Sequence, residues 1–186
     1  MKLWLIVPIS LLVVAVLAGS RMTAMNLAES QVAEGINIPA PEFVNGKWIN
    51  AGSGLTVAGR KGKVTVVEFW TFACSNCRAN LPAYANWQKR FSSQGLVVVG
   101  VHTPETDSEK VPANVMRQVE SLGISYPVLI DGDYKNWDRW KVNAWPTLFV
   151  VDKKGIVRYR WVGELNYRNA GGEEKLSKLI EKLLAE

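Results

Sequence analysis

Two cysteines three residues apart constrain the fold of this chain more than any other feature of its sequence. Cys74 and Cys77 closely follow residues 64–70, which are almost wholly apolar and rich in β-branched side chains. Such a run predicts a strand that is buried on both faces of a sheet. The residues that follow predict a helix over 74–92, with Gly95 as its stop signal. The cysteines are therefore expected where a central strand gives way to a helix.

The rest of the chain alternates between predicted strands and predicted helices. Short apolar runs predict strands, and apolar residues at helical spacing predict helices. The further strands are expected over 96–101, 126–130, 147–151 and 156–161, and the helices over 114–122, 137–141 and 173–184. Residues 152–155 between the last two strands give a hairpin signal. This order predicts an α/β fold with a mixed sheet and helices on both faces.

The composition predicts a folded domain and excludes several kinds of site. Of the 186 residues, 48% are hydrophobic, which is enough to bury a core. The net charge is +5, but the basic residues are scattered and their densest run, 60–63, lies in a predicted loop. We therefore expect no nucleic-acid partner. Two cysteines and one histidine are too few for a structural zinc site, and Arg78 stands where haem attachment needs a histidine, so we expect no metal or cofactor.

The N-terminal residues predict export from the cytoplasm. Residues 3–18 are apolar except for one serine, and Lys2 precedes them. They fit either a cleaved signal peptide or an uncleaved membrane anchor, and we favour the anchor. The positive charge ahead of the apolar stretch favours an exported C-terminal domain. The predicted organisation is an anchor or signal peptide over 1–20, a tether over 21–35 and a folded domain over 36–186.

The position of the two cysteines suits disulfide exchange. The thiolate is the nucleophile in that reaction, and the free N–H groups and positive dipole end of a helix N-terminus stabilise it. We expect Cys74 to be exposed and to attack a substrate. We expect Cys77, one turn further in, to be buried and to resolve the mixed disulfide.

Two other functions stay open at this point. Thr71 and Cys74 reproduce the Thr-x-x-Cys part of the peroxiredoxin motif, although Val67 stands where that motif has a proline. A peroxiredoxin-like thiol peroxidase is therefore one alternative. The other is a non-catalytic binding module that holds a partner in a cleft lined by tryptophan, against which the intact cysteine pair argues.

Residues 68–77, Glu-Phe-Trp-Thr-Phe-Ala-Cys-Ser-Asn-Cys, resemble the thioredoxins. From about residue 38 to 167 the chain resembles their exported relatives, the TlpA/ResA-type redoxins, and most closely the redoxin domain at the end of DipZ-type proteins. The matches outside the cysteine pair are Trp70 at the strand end, Pro82 in the helix, Pro146 before a strand, Glu68 six residues before Cys74, and Gly-Val-His-Thr-Pro-Glu at 100–105. The stretch between Val101 and Trp145 is longer than in plain thioredoxin, as in the TlpA-type insert.

This resemblance implies a thioredoxin fold with a TlpA-like αβ insert, and a thiol–disulfide oxidoreductase. It implies that the protein acts as a reductant on exported protein thiols or disulfides and draws electrons from a donor in the membrane. We expect a monomer in the periplasm or at the outer face of the cell membrane, held there by residues 3–18.

The resemblance also implies the remaining site residues. Glu68 corresponds to the buried acid of the family and Pro146 to its cis-proline, so we assign both to the catalytic site with the cysteines. Trp70, Trp145 and His102 are expected to line the substrate cleft. The alternatives are a Glu68 exposed at a sheet edge, a trans Pro146 and a purely structural His102.

Three departures from thioredoxin bear on redox behaviour. Ser75 and Asn76 replace the Gly-Pro dipeptide between the cysteines, and Ala73 replaces the tryptophan before the first cysteine. Trp145 replaces the small or β-branched residue before the cis-proline. Because the dipeptide and the residue before the cis-proline tune redox potential and substrate fit, the reducing power of thioredoxin is not carried over to this chain.

Overall fold

The computed structural model of the protein describes residues 32–44, 46–52 and 54–186. The predicted anchor or signal peptide over 1–20 lies outside the described residues. The first strand begins at Val32, so residues 32–35 of the predicted tether belong to a strand. In the part of the chain that is described, no helix has the length and apolar character to cross a membrane.

The central layer of the fold is a mixed sheet. Its strands are β1 (Val32–Pro39), β2 (Lys47–Ile49), β3 (Val64–Trp70), β4 (Leu96–His102), β5 (Val128–Ile130), β6 (Thr147–Val151) and β7 (Ile156–Val162). Their order across the sheet is β1-β7-β6-β3-β4-β5-β2. β3, β4 and β5 run parallel, whereas β6 is antiparallel to β3 and β7 to β6. Every residue of β3 is buried, which explains why this strand is so apolar.

Helices cover both faces of this sheet. They are α1 (Ser75–Phe91), α2 (Pro112–Ser121), α3 (Lys135–Arg139) and α4 (Gly172–Ala185). Successive side chains of a strand point to opposite faces. Phe69 packs against Trp140 at the end of α3, with 5.9 Å between ring centroids. Its neighbour Glu68 interacts with Tyr84 of α1, so α1 and α3 lie on opposite sides of β3.

The two long helices on the α1 side are joined to each other. The indole Nε1 of Trp87 in α1 donates a hydrogen bond of 2.8 Å to the Ser177 hydroxyl in α4. The apolar face of α4 is buried, as its helical spacing predicts. α4 also contacts β3, so the two helices pack side by side on the same face of the sheet.

The prediction of the thioredoxin fold is confirmed by this topology. The predicted strand 64–70 and the predicted helix 74–92 agree with β3 and α1 to within a residue at each end. The long stretch between β4 and β6 contains α2 and β5, the helix and strand expected of the αβ insert, and then the short helix α3. The strand predicted over 126–130 is shorter in the structure, where β5 begins at Val128.

Candidate active site

The two cysteines lie at the start of α1. Cys74 is the N-cap residue, with an extended backbone (φ −78°, ψ 115°). Its Sγ accepts a hydrogen bond of 3.2 Å from the backbone N–H of Cys77. Both thiols are free, Cys74 is partly exposed, and Cys77 is fully buried. A substrate disulfide can therefore reach Cys74 but not Cys77.

The environment of Cys77 keeps its proton in place. Burial raises the pKa of the Cys77 thiol well above its ordinary value, because a thiolate is poorly solvated there. The side-chain hydrogen bond with Cys74 and the charge of Glu68 raise it further. Cys77 therefore needs a base nearby before it can attack a disulfide.

Glu68 is a buried carboxyl group whose charge acts on the Cys77 thiol, so it is the candidate for this base. It lies in the middle of β3 with no exposed surface, so the alternative of a carboxyl exposed at a sheet edge is wrong. Burial raises the pKa of Glu68 to about 8, although the Tyr126 hydrogen bond and the nearby Tyr84 hydroxyl act in the opposite direction. The Tyr126 hydroxyl donates to Oε1. The other oxygen, Oε2, has no hydrogen-bond partner among the residues described.

The segment before β6 runs along the end of β3. Thr147 pairs with Phe69, which places Pro146 beside the end of the strand that leads to the cysteines. The Trp145–Pro146 peptide bond is cis, so the alternative of a trans bond is wrong. Trp145 is half-buried, and its ring centroid lies 4.2 Å from that of Trp137. This tryptophan pair offers an apolar surface next to the proline.

Trp70 and His102 lie in the interior of the protein and do not line a cleft. Both are fully buried, at paired positions of β3 and β4. The His102 ring packs edge-to-face against Trp70 at 5.1 Å and stacks under Phe72 at 5.5 Å. The prediction that these two side chains line the substrate cleft is therefore corrected: both lie in the interior, and it is Phe72, stacked on His102, that is partly exposed.

Glu109 was not predicted from the sequence as a site residue. Its side chain connects the segment before Cys74 with the segment that follows β4. Its Oε1 accepts hydrogen bonds from the Thr71 hydroxyl and, at 2.9 Å, from the Ala73 N–H. Its Oε2 accepts from the N–H groups of Glu105 at 2.8 Å and Thr106 at 2.9 Å. The residue just before Cys74 is thus held by a carboxylate from the loop after β4. The capping-box spacing Thr106-x-x-Glu109 is the sequence signal that could have found it.

Glu109 stays ionised despite being fully buried. Burial alone would raise its pKa, but interactions with His102, Thr71 and the backbone N–H groups outweigh burial and hold the pKa well below the usual range. The Nε2 of His102 lies 3.8 Å from Oε1, which is an electrostatic contact rather than a hydrogen bond. Within the described ranges, no group of three or more His, Cys, Asp or Glu side chains could hold a metal ion.

Comparison with known proteins places this site in a family. Residues 36–160 match the AhpC/TSA family. The protein DipZ of Mycobacterium bovis is 37% identical over 122 residues, which are 64% of this chain and 18% of DipZ. The thiol-disulfide oxidoreductase ResA of Bacillus subtilis is 31% identical over 160 residues, covering 84% of this chain and 82% of ResA.

Solved structures show the same fold. A crystal structure of a putative thiol:disulfide interchange protein DsbE from Chlorobium tepidum superposes with a TM-score of 0.69 at 22% identity, covering 82% of this chain and 99% of that one. The match to the family model and the extent of the match to ResA lead to one assignment: the chain belongs to the AhpC/TSA family, as a thioredoxin-like redoxin of the ResA type.

Proposed function

We propose that this protein is a thiol–disulfide oxidoreductase that exchanges disulfides with protein substrates through Cys74 and Cys77, with Glu68 as the proton acceptor for Cys77. The observation that carries the proposal is the arrangement of the three groups. One thiol is accessible at a helix N-terminus, the other is buried behind it, and a buried carboxyl group with a pKa of about 8 acts on the second thiol. The ResA relative, named as a thiol-disulfide oxidoreductase, supports it.

The first step is attack by Cys74. Its thiolate forms a bond to one sulfur of the substrate disulfide, the substrate S–S bond breaks, and the other substrate sulfur leaves as a thiolate. The Cys77 N–H that donates to the Cys74 Sγ stabilises the attacking thiolate. Cys77 remains protonated during this step because it is buried, so the two cysteines act in a defined order.

The second step is resolution by Cys77. The Cys77 thiol gives its proton to the Glu68 carboxylate, and the new thiolate attacks the Cys74 Sγ. A disulfide forms between the two cysteines, and the second substrate sulfur leaves as a thiolate. Two electrons have then passed from the protein dithiol to the substrate. A pKa of about 8 lets Glu68 take and release a proton near neutral pH.

The direction of electron flow, the location and the partners belong to this proposal. We assign the protein a reducing role outside the cytoplasm, with residues 3–18 as its membrane anchor. Exported protein disulfides are the substrates, and a membrane protein dithiol returns the enzyme to its reduced form. The apolar N-terminal stretch and the similarity to ResA and DipZ support these assignments.

The hydrogen bond of Thr71 argues against a peroxidase. In the Thr-x-x-Cys interpretation, the threonine hydroxyl should be free to bind a peroxide next to the cysteine. Here the Thr71 hydroxyl donates to Glu109 and is fully buried. A resolving cysteine only three residues away also suits exchange with a protein disulfide.

The test is a pair of matched cysteine variants. Reduced parent protein should reduce insulin disulfides in the presence of dithiothreitol, and Cys74→Ser should abolish this activity. Cys77→Ser should instead accumulate a mixed disulfide through Cys74, which mass spectrometry of the trapped species identifies. Trapping through Cys77, or full activity without Cys74, would contradict the proposal. Efficient peroxide consumption by Cys77→Ser with an external thiol would support the peroxidase instead.

A further inference from the structure

We propose that Tyr126 is a positioning residue of the exchange reaction: it holds the Glu68 carboxyl by one oxygen and leaves the other free to take the proton of Cys77. This inference rests on the proposed role of Glu68 as proton acceptor. It links a residue from the stretch between β4 and β6 to the three reacting groups, Glu68 on β3 and the two cysteines at the start of α1.

The contact between the two residues is closed off from solvent. The Tyr126 hydroxyl donates to Glu68 Oε1, Tyr126 is 3% exposed, and Glu68 is not exposed at all. Because a lone buried carboxyl would be free to rotate about its last side-chain bond, one fixed oxygen determines where the other lies. The fixed oxygen is Oε1, so Oε2 is the atom available for the proton.

The neighbouring strand makes room for this contact. Gly100 of β4 pairs with Glu68 in parallel register. A Cβ atom at position 100 would lie 3.3 Å from Cε2 of the Tyr126 ring and 3.0 Å from Nε1 of Trp70. The missing side chain at this position therefore lets the tyrosine ring pass next to the strand and reach the carboxyl group.

Among the described residues, the titratable groups that interact with the Glu68 carboxyl are two tyrosines and a cysteine, none of which carries a positive charge. The titratable groups that act on Glu68 or feel its charge are Tyr126 from the insert, and Tyr84 and Cys77 from α1. The positions paired with Glu68 on β4 and β6 are Gly100 and Leu148, which carry no charge. No lysine or arginine among these neighbours compensates a Glu68 carboxylate, so the Tyr126 hydrogen bond and the nearby Tyr84 hydroxyl are what stabilise it.

This arrangement predicts the consequence of losing one hydroxyl. Tyr126→Phe keeps the ring but removes the donor to Oε1, which makes the carboxylate less stable relative to the protonated form. A smaller fraction of Glu68 is then ionised at neutral pH, and fewer molecules can accept the Cys77 proton. A hydrogen bond to a charged group corresponds to roughly tenfold in proton affinity. Resolution at neutral pH should therefore slow by about tenfold, and its pH midpoint should rise by about one unit.

The experiment follows both steps with a small disulfide probe. Reduced full-length protein is mixed with 5,5′-dithiobis(2-nitrobenzoate), which releases one thionitrobenzoate when Cys74 attacks and a second when Cys77 resolves. The pH dependence of the second release is measured for the parent, Tyr126→Phe and Glu68→Gln. The matched control is Tyr134→Phe, which also removes a tyrosine hydroxyl bond, to the Pro104 carbonyl, but does not touch Glu68. The control should keep the midpoint of the parent.

The outcomes separate this inference from the proposed function. If Tyr126→Phe shifts the midpoint upward in the parent but has no further effect in a Glu68→Gln background, Tyr126 acts through Glu68. An unchanged midpoint in Tyr126→Phe, alongside slow resolution in Glu68→Gln, overturns the role of Tyr126 alone. If Glu68→Gln resolves as fast as the parent, the proton acceptor itself is wrong and this inference fails with it. An equal loss of rate at every pH in both backgrounds shows a purely structural tyrosine.

Discussion

Replacing Glu68 by glutamine should stabilise the protein at neutral pH and leave its stability at acid pH nearly unchanged. Glutamine keeps an oxygen acceptor for the Tyr126 hydroxyl. Its amide N–H₂ takes the place of Oε2, which lacks a hydrogen-bond partner among the described residues. The parent at acid pH also buries an uncharged polar group at this place. The two proteins therefore differ mainly when the parent must bury a charge.

The size of the effect follows from the shifted pKa. The pKa of Glu68 rises from its ordinary value of 4.5 to about 8 in the folded protein, and burial is the main cause. The folded state thus holds this proton more tightly than the unfolded state does. The unfolding free energy of the parent must then fall as the pH rises from about 4.5 to about 8, and stay level on either side. At ~1.4 kcal/mol for each tenfold in proton affinity, the whole fall is about 5 kcal/mol.

The assay is urea unfolding of the reduced parent and of Glu68→Gln at a series of pH values between about 4 and 8. The difference in unfolding free energy should widen steadily across this range, by up to about 5 kcal/mol in favour of the variant. The useful control is Glu109→Gln, because the pKa of Glu109 is held low rather than high. That variant should be less stable than the parent by a nearly constant amount across this pH range, because a glutamate with a lowered pKa loses its stabilising charge only below the ordinary pKa of a glutamate.

Two results would refute this reasoning. A difference between the parent and Glu68→Gln that is constant across the pH range would show that Glu68 titrates alike in the folded and unfolded states. A Glu68→Gln protein that is less stable than the parent at neutral pH would show that the ionised carboxylate is favourably held where it lies. In either case Glu68 would not be poised to exchange a proton near neutral pH.

Three further predictions concern access, substrate fit and location. Iodoacetamide should alkylate Cys74 of the reduced protein well before Cys77, as peptide mapping would show, because Cys74 is partly exposed and Cys77 is buried; earlier labelling of Cys77 would reverse their roles. Trp145→Ala should raise KM for insulin several-fold while leaving the first release of thionitrobenzoate unchanged, since a small probe does not need the apolar surface; equal losses with both would place Trp145 in the chemistry itself. Deleting residues 1–31 should move an active domain from the membrane to the soluble fraction, whereas a mature chain that starts after position 18 or 20 would establish a signal peptide.

The elements that could be predicted from the sequence are those with a local cause. β3 and α1 follow from an apolar β-branched run and a helical pattern within about thirty consecutive residues. Glu68 attracts notice because a charge inside such a run is costly. The cis bond before Pro146 has no such local signal, and only the resemblance to the thioredoxins predicts it.

The residues that the sequence did not reveal act across long separations. Glu109 bonds Thr71 over 38 positions, and Tyr126 bonds Glu68 over 58. Neither partner can be chosen without knowing how β3, β4 and β5 pair. The misplacement of Trp70 and His102 has the same origin, since an aromatic residue near a site is easily taken for its lining. Strand register puts both side chains inside the fold instead.

The insert between β4 and β6 has a consequence for attempts to shorten or recombine this domain. It supplies the tyrosine that holds the Glu68 carboxyl and the glutamate that anchors the loop before Cys74. Cutting the chain back to a minimal thioredoxin would therefore strip two supports from the reaction centre while every residue of the cysteine motif stayed in place. Conversely, a chimera that takes the cysteine motif from another redoxin should keep Thr71 and Glu68, because these two residues form the side-chain hydrogen bonds to Glu109 and Tyr126 of the insert.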